Sequence, residues 1–158
     1  MSLLALSLFV SGCSYIIDRQ TSNAAEQLSA TILEYDDPAT VAAAIPTLLI
    51  VMDSYARSEG SSGKSQLSAA RLYGAYAGAF VDDPARRKTL TTTAFNYARS
   101  GSCKKDIKWC GLDKFDKRAF ADFMRNLKKT EIDVVYAYAV AWLSYIEAHS
   151  DDWNVIAD

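Results

Sequence analysis

The residues with chemical promise in this sequence are a glycine-rich run, a lone histidine and three acidic pairs. Gly60-Ser61-Ser62-Gly63-Lys64-Ser65 finishes on the Gly-Lys-Ser that closes a phosphate-binding loop. Such a loop needs its first glycine where Ser58 stands, and a strand leading into it, whereas a helical pattern leads in here. The run therefore reads as a link between helices. His149, the only histidine, has no serine or cysteine in a nucleophile motif to activate. Near the end of a helical stretch, it suits a cation facing the negative end of the helix dipole. Asp36-Asp37, Asp82-Asp83 and Asp151-Asp152 lack the spaced ligand pattern of a calcium loop. Each pair stands where a helix begins, and there a carboxylate caps free N–H groups. No metal, cofactor or catalytic residue is expected.

The cysteines carry different chemistry. Leu3 to Val10 form an apolar stretch followed by Ser11-Gly12-Cys13. It is far short of the roughly 20 residues that span a bilayer, but long enough for the core of a signal peptide. Val10-Ser11-Gly12-Cys13 resembles the lipobox of bacterial lipoproteins, although Met1-Ser2-Leu3 lacks the basic residue with which signal peptides open. That resemblance makes residues 1–12 a signal peptide and Cys13 the lipidated first residue of the mature chain, held stably by two or more acyl chains. Ser14 stands where an aspartate would favour inner-membrane retention, so the outer membrane is expected. For Cys103 and Cys110, zinc would need two further ligands, and distant His149 has no partner at ligand spacing. An even pair in an exported chain reads as a disulfide closing a short local loop.

Aromatic residues supply the remaining candidate site. Tyr73, Tyr76, Phe80, Tyr136, Tyr138, Trp142 and Tyr145 fall on two helical stretches that are apolar nearly all round. Core packing explains one face of each. A second face can wall a cleft, since tyrosine and tryptophan offer an apolar body with a polar handle. Tyr73, Tyr76, Tyr138, Trp142 and Tyr145 are the candidates for contacting an apolar ligand, with Tyr73, Tyr138 and Tyr145 on the faces the core needs least.

The elements that must position these residues follow from helical periodicity, which is present almost everywhere after Cys13. A helix is expected from Ile16 to about Glu34. A second runs from Pro38 to about Arg57, with Val41, Ile45, Leu48, Leu49, Met52 and Tyr55 on its apolar face. A third, about Lys64 to Val81, has a surface of small residues (Ala69, Ala70, Gly74, Ala77, Gly78) suited to close approach. Pro84 to about Ser100 is a fourth, stopped by Gly101. Residues 102–114 form a loop holding Trp109. Phe115 to about Leu127 is a fifth. Thr130 opens a sixth, with Asp133 completing a capping box and Ile132, Val135, Tyr136, Ala139, Trp142, Leu143 and Ile146 as its stripe. A seventh has barely begun when the chain ends.

Asp36-Asp37-Pro38-Ala39 and Asp82-Asp83-Pro84-Ala85 repeat the same four letters at two helix starts. An all-α fold is expected: antiparallel hairpins stacked as a tetratricopeptide-like α-solenoid over residues 13–158, truncated at its unfinished last helix.

Two long stretches sharpen this. Ala69-Ala70-Arg71-Leu72-Tyr73-Gly74-Ala75-Tyr76-Ala77-Gly78-Ala79-Phe80-Val81-Asp82-Asp83-Pro84-Ala85-Arg86 and Ala141-Trp142-Leu143-Ser144-Tyr145-Ile146-Glu147-Ala148-His149-Ser150-Asp151-Asp152-Trp153, with the lipobox and Cys103, resemble the TatT family. These are periplasmic lipoproteins with tetratricopeptide-like repeats, linked to tripartite ATP-independent periplasmic (TRAP) transporters. The resemblance implies a homo-oligomer, a solute-binding protein as partner, and a cleft for an apolar ligand. It also implies a family chain that continues past Asp158, this sequence being its N-terminal part.

Composition is that of a globular protein. The chain has 158 residues, half of them hydrophobic and 23% charged, and a formal net charge of −2. Those values suit a globular domain and give no one-sided basic surface for nucleic acid. The expected function is a lipid-anchored adaptor on the periplasmic side of the envelope. The alternatives are a structural lipoprotein that forms oligomers without a ligand and, third, a hydrolase using His149.

Overall fold

The computed structural model describes residues 34–157. Cys13, the apolar leader and the helix expected from Ile16 lie outside the described residues. Among those described there are six α-helices, three 3-10 turns and no strand, so the chain is all-α, as expected. It divides into two compact units, residues 1–43 and 44–158.

The described part of the first unit is the start of helix α1, Pro38–Arg57. Asp37 caps it, accepting from the Ala39 N–H at 2.9 Å and the Thr40 hydroxyl at 2.6 Å. The Thr40 bond, with the two backbone bonds, holds the Asp37 carboxyl below its usual range.

In the second unit, the later turns of α1 bury Ile45, Leu49 and Ala56, with Met52 half-buried. Tyr55, expected on this face, is 55% exposed. Ala56 takes the inward position because the chain must turn there onto the next helix, and the Gln66 Nε2 donates to the Ala56 carbonyl at 3.2 Å. Helix α2, Gly63–Phe80, starts at Ser62, whose hydroxyl accepts from the Ser65 N–H. Helix α3, Pro84–Lys105, starts at Asp83, whose carboxylate accepts from the Arg86 N–H at 2.6 Å.

Helix α3 does not stop at Gly101. It runs on to Lys105 because Gly101 is a packing glycine and not a cap. A Cβ built there would lie 2.9 Å from the Gly63 carbonyl oxygen, 3.0 Å from the Gln66 Cβ and 3.0 Å from the Leu67 nitrogen. The start of α2 and the end of α3 thus meet backbone to backbone. Gly74 and Gly78, where close approach was expected, have nothing within 4 Å of an added Cβ.

Of residues 102–114, expected as loop, those after Lys105 fold into two 3-10 turns, Ile107–Trp109 and Leu112–Lys114, joined through Gly111 at φ +73°. They carry Trp109 (2% exposed) and Leu112 (4% exposed) into the core. Cys103 and Cys110 are joined beside them, Cα atoms 4.5 Å apart. Reduction of this bridge should lower folding stability by about 2–3 kcal/mol, by the loop-closure entropy of so short a segment. Urea melts with and without dithiothreitol, followed by tryptophan emission, measure it; unchanged midpoints for a chain shown by mass to be oxidised would contradict it.

Helix α4, Lys117–Arg125, is capped by Asp116 on the Ala119 N–H at 2.7 Å. Helix α5 is Ile132–Ala148. Its lead-in departs from expectation. The 3-10 turn Lys129–Glu131 precedes it, and the Glu131 carboxylate reaches back to the Lys128 N–H at 2.9 Å, in place of a Thr130–Asp133 box. The short helix α6, Trp153–Ala157, follows Asp152, which accepts from the Asn154 N–H. All three expected acidic caps therefore cap. Helix α3 is the hub of this unit: it packs on α2 and α5, which also meet each other.

Candidate functional site

Three polar or aromatic assemblies hold the second unit together, and the expected ligand-binding residues distribute among them. The first centres on Phe95 of α3. Tyr138, Trp142 and Tyr145 of α5 surround its ring at centroid distances of 5.8, 6.0 and 5.1 Å. Trp109 extends the cluster to Tyr138 on one side and Phe123 on the other. Tyr138 is 2% exposed, while Trp142 and Tyr145 are half-buried. The Tyr138 hydroxyl points to the Asp113 carboxylate at 3.4 Å, which also pairs with Arg99 at 3.2 Å. Burial, and then the Asp113 charge, push the Tyr138 hydroxyl well above its usual pKa. These aromatics fill one another's contacts, as core residues do.

The second assembly joins α1, α2 and α3 through Asp53. Its Oδ1 accepts from the Tyr97 hydroxyl at 2.5 Å and the Tyr73 hydroxyl at 3.2 Å, and its Oδ2 pairs with the Arg57 Nε at 2.7 Å. Burial, followed by the Asp53 charge, raises the Tyr73 hydroxyl to about 12; burial likewise raises Tyr97. The third is smaller: Tyr76 (4% exposed) accepts from the Arg86 Nη2 at 3.2 Å, and the same guanidinium lies 5.4 Å over its ring. The structure thus brings together Tyr138, Trp142 and Tyr145, and places Tyr73 and Tyr76 elsewhere. None of the five lines either of two open surface depressions, of about 460 and 310 Å³, that both border Asn96 and Ser100.

A tyrosine that stays protonated in the fold but ionises near pH 10 when unfolded binds its proton more tightly in the native state. Its contribution is complete below pH 10 and is lost as pH rises from there toward about 12. The urea midpoint should therefore fall across that window, and Tyr73→Phe should flatten the fall. A midpoint that drops equally in both proteins would exclude Tyr73 as a cause.

Helix α5 presents the largest departure from the sequence reading. Three of the seven residues of the expected stripe lie outside: Ile132, Tyr136 and Leu143 are 68, 64 and 65% exposed, while Val135, Ala139, Trp142 and Ile146 are half-buried, and Val140 joins the exposed three at 37%. Val134, Ala137, Tyr138 and Ala141 are buried in their place. Placing Tyr138 between Phe95 and Trp109, with its hydroxyl on Asp113, fixes that orientation. Ile132, Tyr136, Val140 and Leu143 stand at helical spacing, so they form one apolar row without a partner among the described residues.

The discounted motifs behave as links and caps. Gly60 takes φ +79° in the turn before α2, and no strand enters the glycine-rich run. His149 ends α5, its Nδ1–H donating to the Tyr145 carbonyl at 2.8 Å. Among the described residues no cluster of histidine, cysteine or acid has the grouping of a metal site. Helix α1 is long and apolar enough to cross a membrane by length and composition.

Asp53 and Phe95 carry two of these assemblies and were missed from sequence. An acid next to the buried row of α1, with Arg57 one turn on, was the available signal for Asp53. Phe95 had none, standing in a helix rich in threonine and charge.

A family model described as TRAP transporter T-component matches residues 34–158. No curated protein and no solved structure matches the chain.

Proposed function

Since the chain belongs to the TRAP transporter T-component family over residues 34–158, we propose that it is a lipid-tethered adaptor of the bacterial envelope that docks the transporter's solute-binding protein. The family is a transporter component, and the reading needs a docking surface in place of a catalytic centre. The observation that carries it is the exposed row Ile132, Tyr136, Val140 and Leu143 on α5. A contiguous apolar row with a central tyrosine matches the composition of interface cores, where aromatics are enriched and charge is depleted. Cys13 is the lipid attachment point after loss of residues 1–12. The helices of residues 44–158 stack as tetratricopeptide-like hairpins within a domain that begins at Cys13, on the periplasmic side of the outer membrane.

The same row favours a second reading, an envelope scaffold of copies of this chain, because an apolar stripe can face its own symmetry mate across a two-fold axis. One experiment separates the two. Immobilised protein should retain a TRAP-type solute receptor from a periplasmic extract. The double variant Tyr136→Glu, Leu143→Glu should weaken that retention by at least about tenfold, as loss of central interface residues does, with an unchanged circular dichroism spectrum. Native mass spectrometry of both proteins reports self-association. Equal retention by the double variant would remove α5 as the docking face, and an oligomer dissolved by it without any receptor retained would favour the scaffold. Labelled palmitate incorporated by the wild type and not by Cys13→Ser tests the tether.

A further inference from the structure

We propose that the end of this unit where α3 finishes and α5 begins is a docking surface for an anionic lipid bilayer. Residues 104–133 hold nine of the chain's 17 lysines and arginines and six of its 19 acids. That is a net of +3 within a chain whose formal net charge is −2, so the whole-chain balance conceals a basic segment.

The fold gathers that excess at one place. Helix α3 ends on Lys105, and the 3-10 turn Ile107–Trp109 follows. Lys128 precedes the turn Lys129–Glu131, which leads into α5. The Lys108 ammonium pairs with the Glu131 carboxylate and clasps the two turns together. That bond, and then the Lys128 N–H, hold the Glu131 carboxyl below its usual range, so the clasp stays ionised. Most of the segment's acids are engaged. Asp113 pairs with Arg99, Asp122 with Arg125 and Glu131 with Lys108, while Asp106 and Asp116 accept from backbone N–H groups. Only Asp133 is left over. Lys105, Lys128 and Lys129 are exposed, and none has a carboxylate partner among the described residues.

The apolar residues of the two turns decide the kind of partner. Ile107, between Lys105 and Lys108 in sequence, is 80% exposed, and exposed Ile132 directly follows the clasp on the α5 side. Protein interface cores gather aromatics and are depleted in lysine. This end has the opposite make-up, single aliphatic side chains flanked by lysines. A bilayer accepts one such side chain at its acyl boundary, while lysine stems lie along the apolar region with their ammonium groups at headgroup level. Each lysine near an anionic leaflet strengthens attachment by roughly fivefold. The surface needs no acyl chain at Cys13, and its lysines and Ile107 are distinct from Tyr136 and Leu143. It therefore stands or falls apart from the adaptor reading.

The test is co-sedimentation of the full chain carrying Cys13→Ser, which no acyl chain can assist. One set of vesicles is phosphatidylcholine alone, the other phosphatidylcholine and phosphatidylglycerol at two to one. Partition into the anionic vesicles should exceed that into the neutral ones by at least about tenfold, and should fall to the neutral level in about 0.5 M salt. The triple variant Lys105→Gln, Lys128→Gln, Lys129→Gln should lose at least about tenfold of the anionic binding, and Ile107→Ser about threefold, both with an unchanged circular dichroism spectrum. Equal partition into the two kinds of vesicle would overturn the proposal, as would a triple variant that binds like the wild type. A charge-dependent loss with no effect of Ile107→Ser would overturn the lipid assignment and point to an acidic protein as the partner of this end.

Discussion

Gly63→Ala and Gly101→Ala should each lower folding stability by about 2 kcal/mol, net of the roughly 1 kcal/mol that alanine gains over glycine inside a helix. The reason is what a single methyl group would meet. At Gly101 it would fall at 2.9–3.0 Å from the Gly63 carbonyl, the Gln66 Cβ and the Leu67 nitrogen; at Gly63 it would strike the Gly101 carbonyl, with the Lys105 nitrogen also close. Most of these atoms are helix backbone, which cannot rotate aside as a side chain can. Relief requires α2 and α3 to move apart, and that loosens the contact of the hub helix with its neighbour. Gly78→Ala is the matched control. It is exposed, an added Cβ has nothing within 4 Å, and the helix should gain about 0.5–1 kcal/mol. Urea denaturation followed by circular dichroism reads all three. Equal small gains at all three glycines would mean that the helices do not touch through Gly63 and Gly101.

These glycines show where sequence reading reaches its limit. Three helix starts, at Asp37, Asp83 and Asp152, were legible because their signals are local. Asp37, Asp83, Ser62 and Asp152 each cap a helix through a backbone N–H within three residues, and proline at the first position marks two of those starts. Gly101 carries the same letter as a helix terminator, and only its distance to Gly63, far away in sequence, reveals that it serves a helix crossing. The 3-10 turns around Trp109 hid for a related reason. Their polar, lysine-rich residues read as loop, and the burial of Trp109 and Leu112 comes from neighbours that local pattern does not name.

The site was legible in composition and illegible in arrangement. Tyrosines and tryptophan on α2 and α5 were recognised as the residues worth asking about. Which of them meet depends on the rotation of each helix about its axis, and a helix apolar on every side contains no record of that rotation. On α5 the choice was settled by three long-range partners of Tyr138: Phe95, Trp109 and Asp113. On α2 it was settled by Asp53, which draws the Tyr73 hydroxyl toward α1. Polar atoms on aromatic rings thus fix the two central helices, since each hydroxyl must find a partner once buried.

Phe95→Ala should be among the most damaging side-chain truncations of the described residues, at about 3–5 kcal/mol. Phe95 is 7% exposed, touches three aromatic rings of α5, and has the Arg99 guanidinium 5.7 Å over its face. Its removal leaves a space walled by Tyr138, Trp142 and Tyr145, and an apolar space of that kind takes up small aromatic molecules. Indole should therefore raise the thermal midpoint of Phe95→Ala by mass action while leaving the wild type unmoved. The comparison residue is Leu143, on the opposite side of the same helix and 65% exposed, where Leu143→Ser should change stability by no more than about 0.5 kcal/mol. The two substitutions test which way α5 faces. If Leu143→Ser were the costly one and Phe95→Ala were tolerated, the stripe of Ile132, Tyr136 and Leu143 would be core after all, and α5 would have no docking face to offer. If instead the wild type also gained stability from indole, the cluster around Phe95 would be an open cleft in the intact protein, and Tyr138, Trp142 and Tyr145 would be ligand contacts before they are packing.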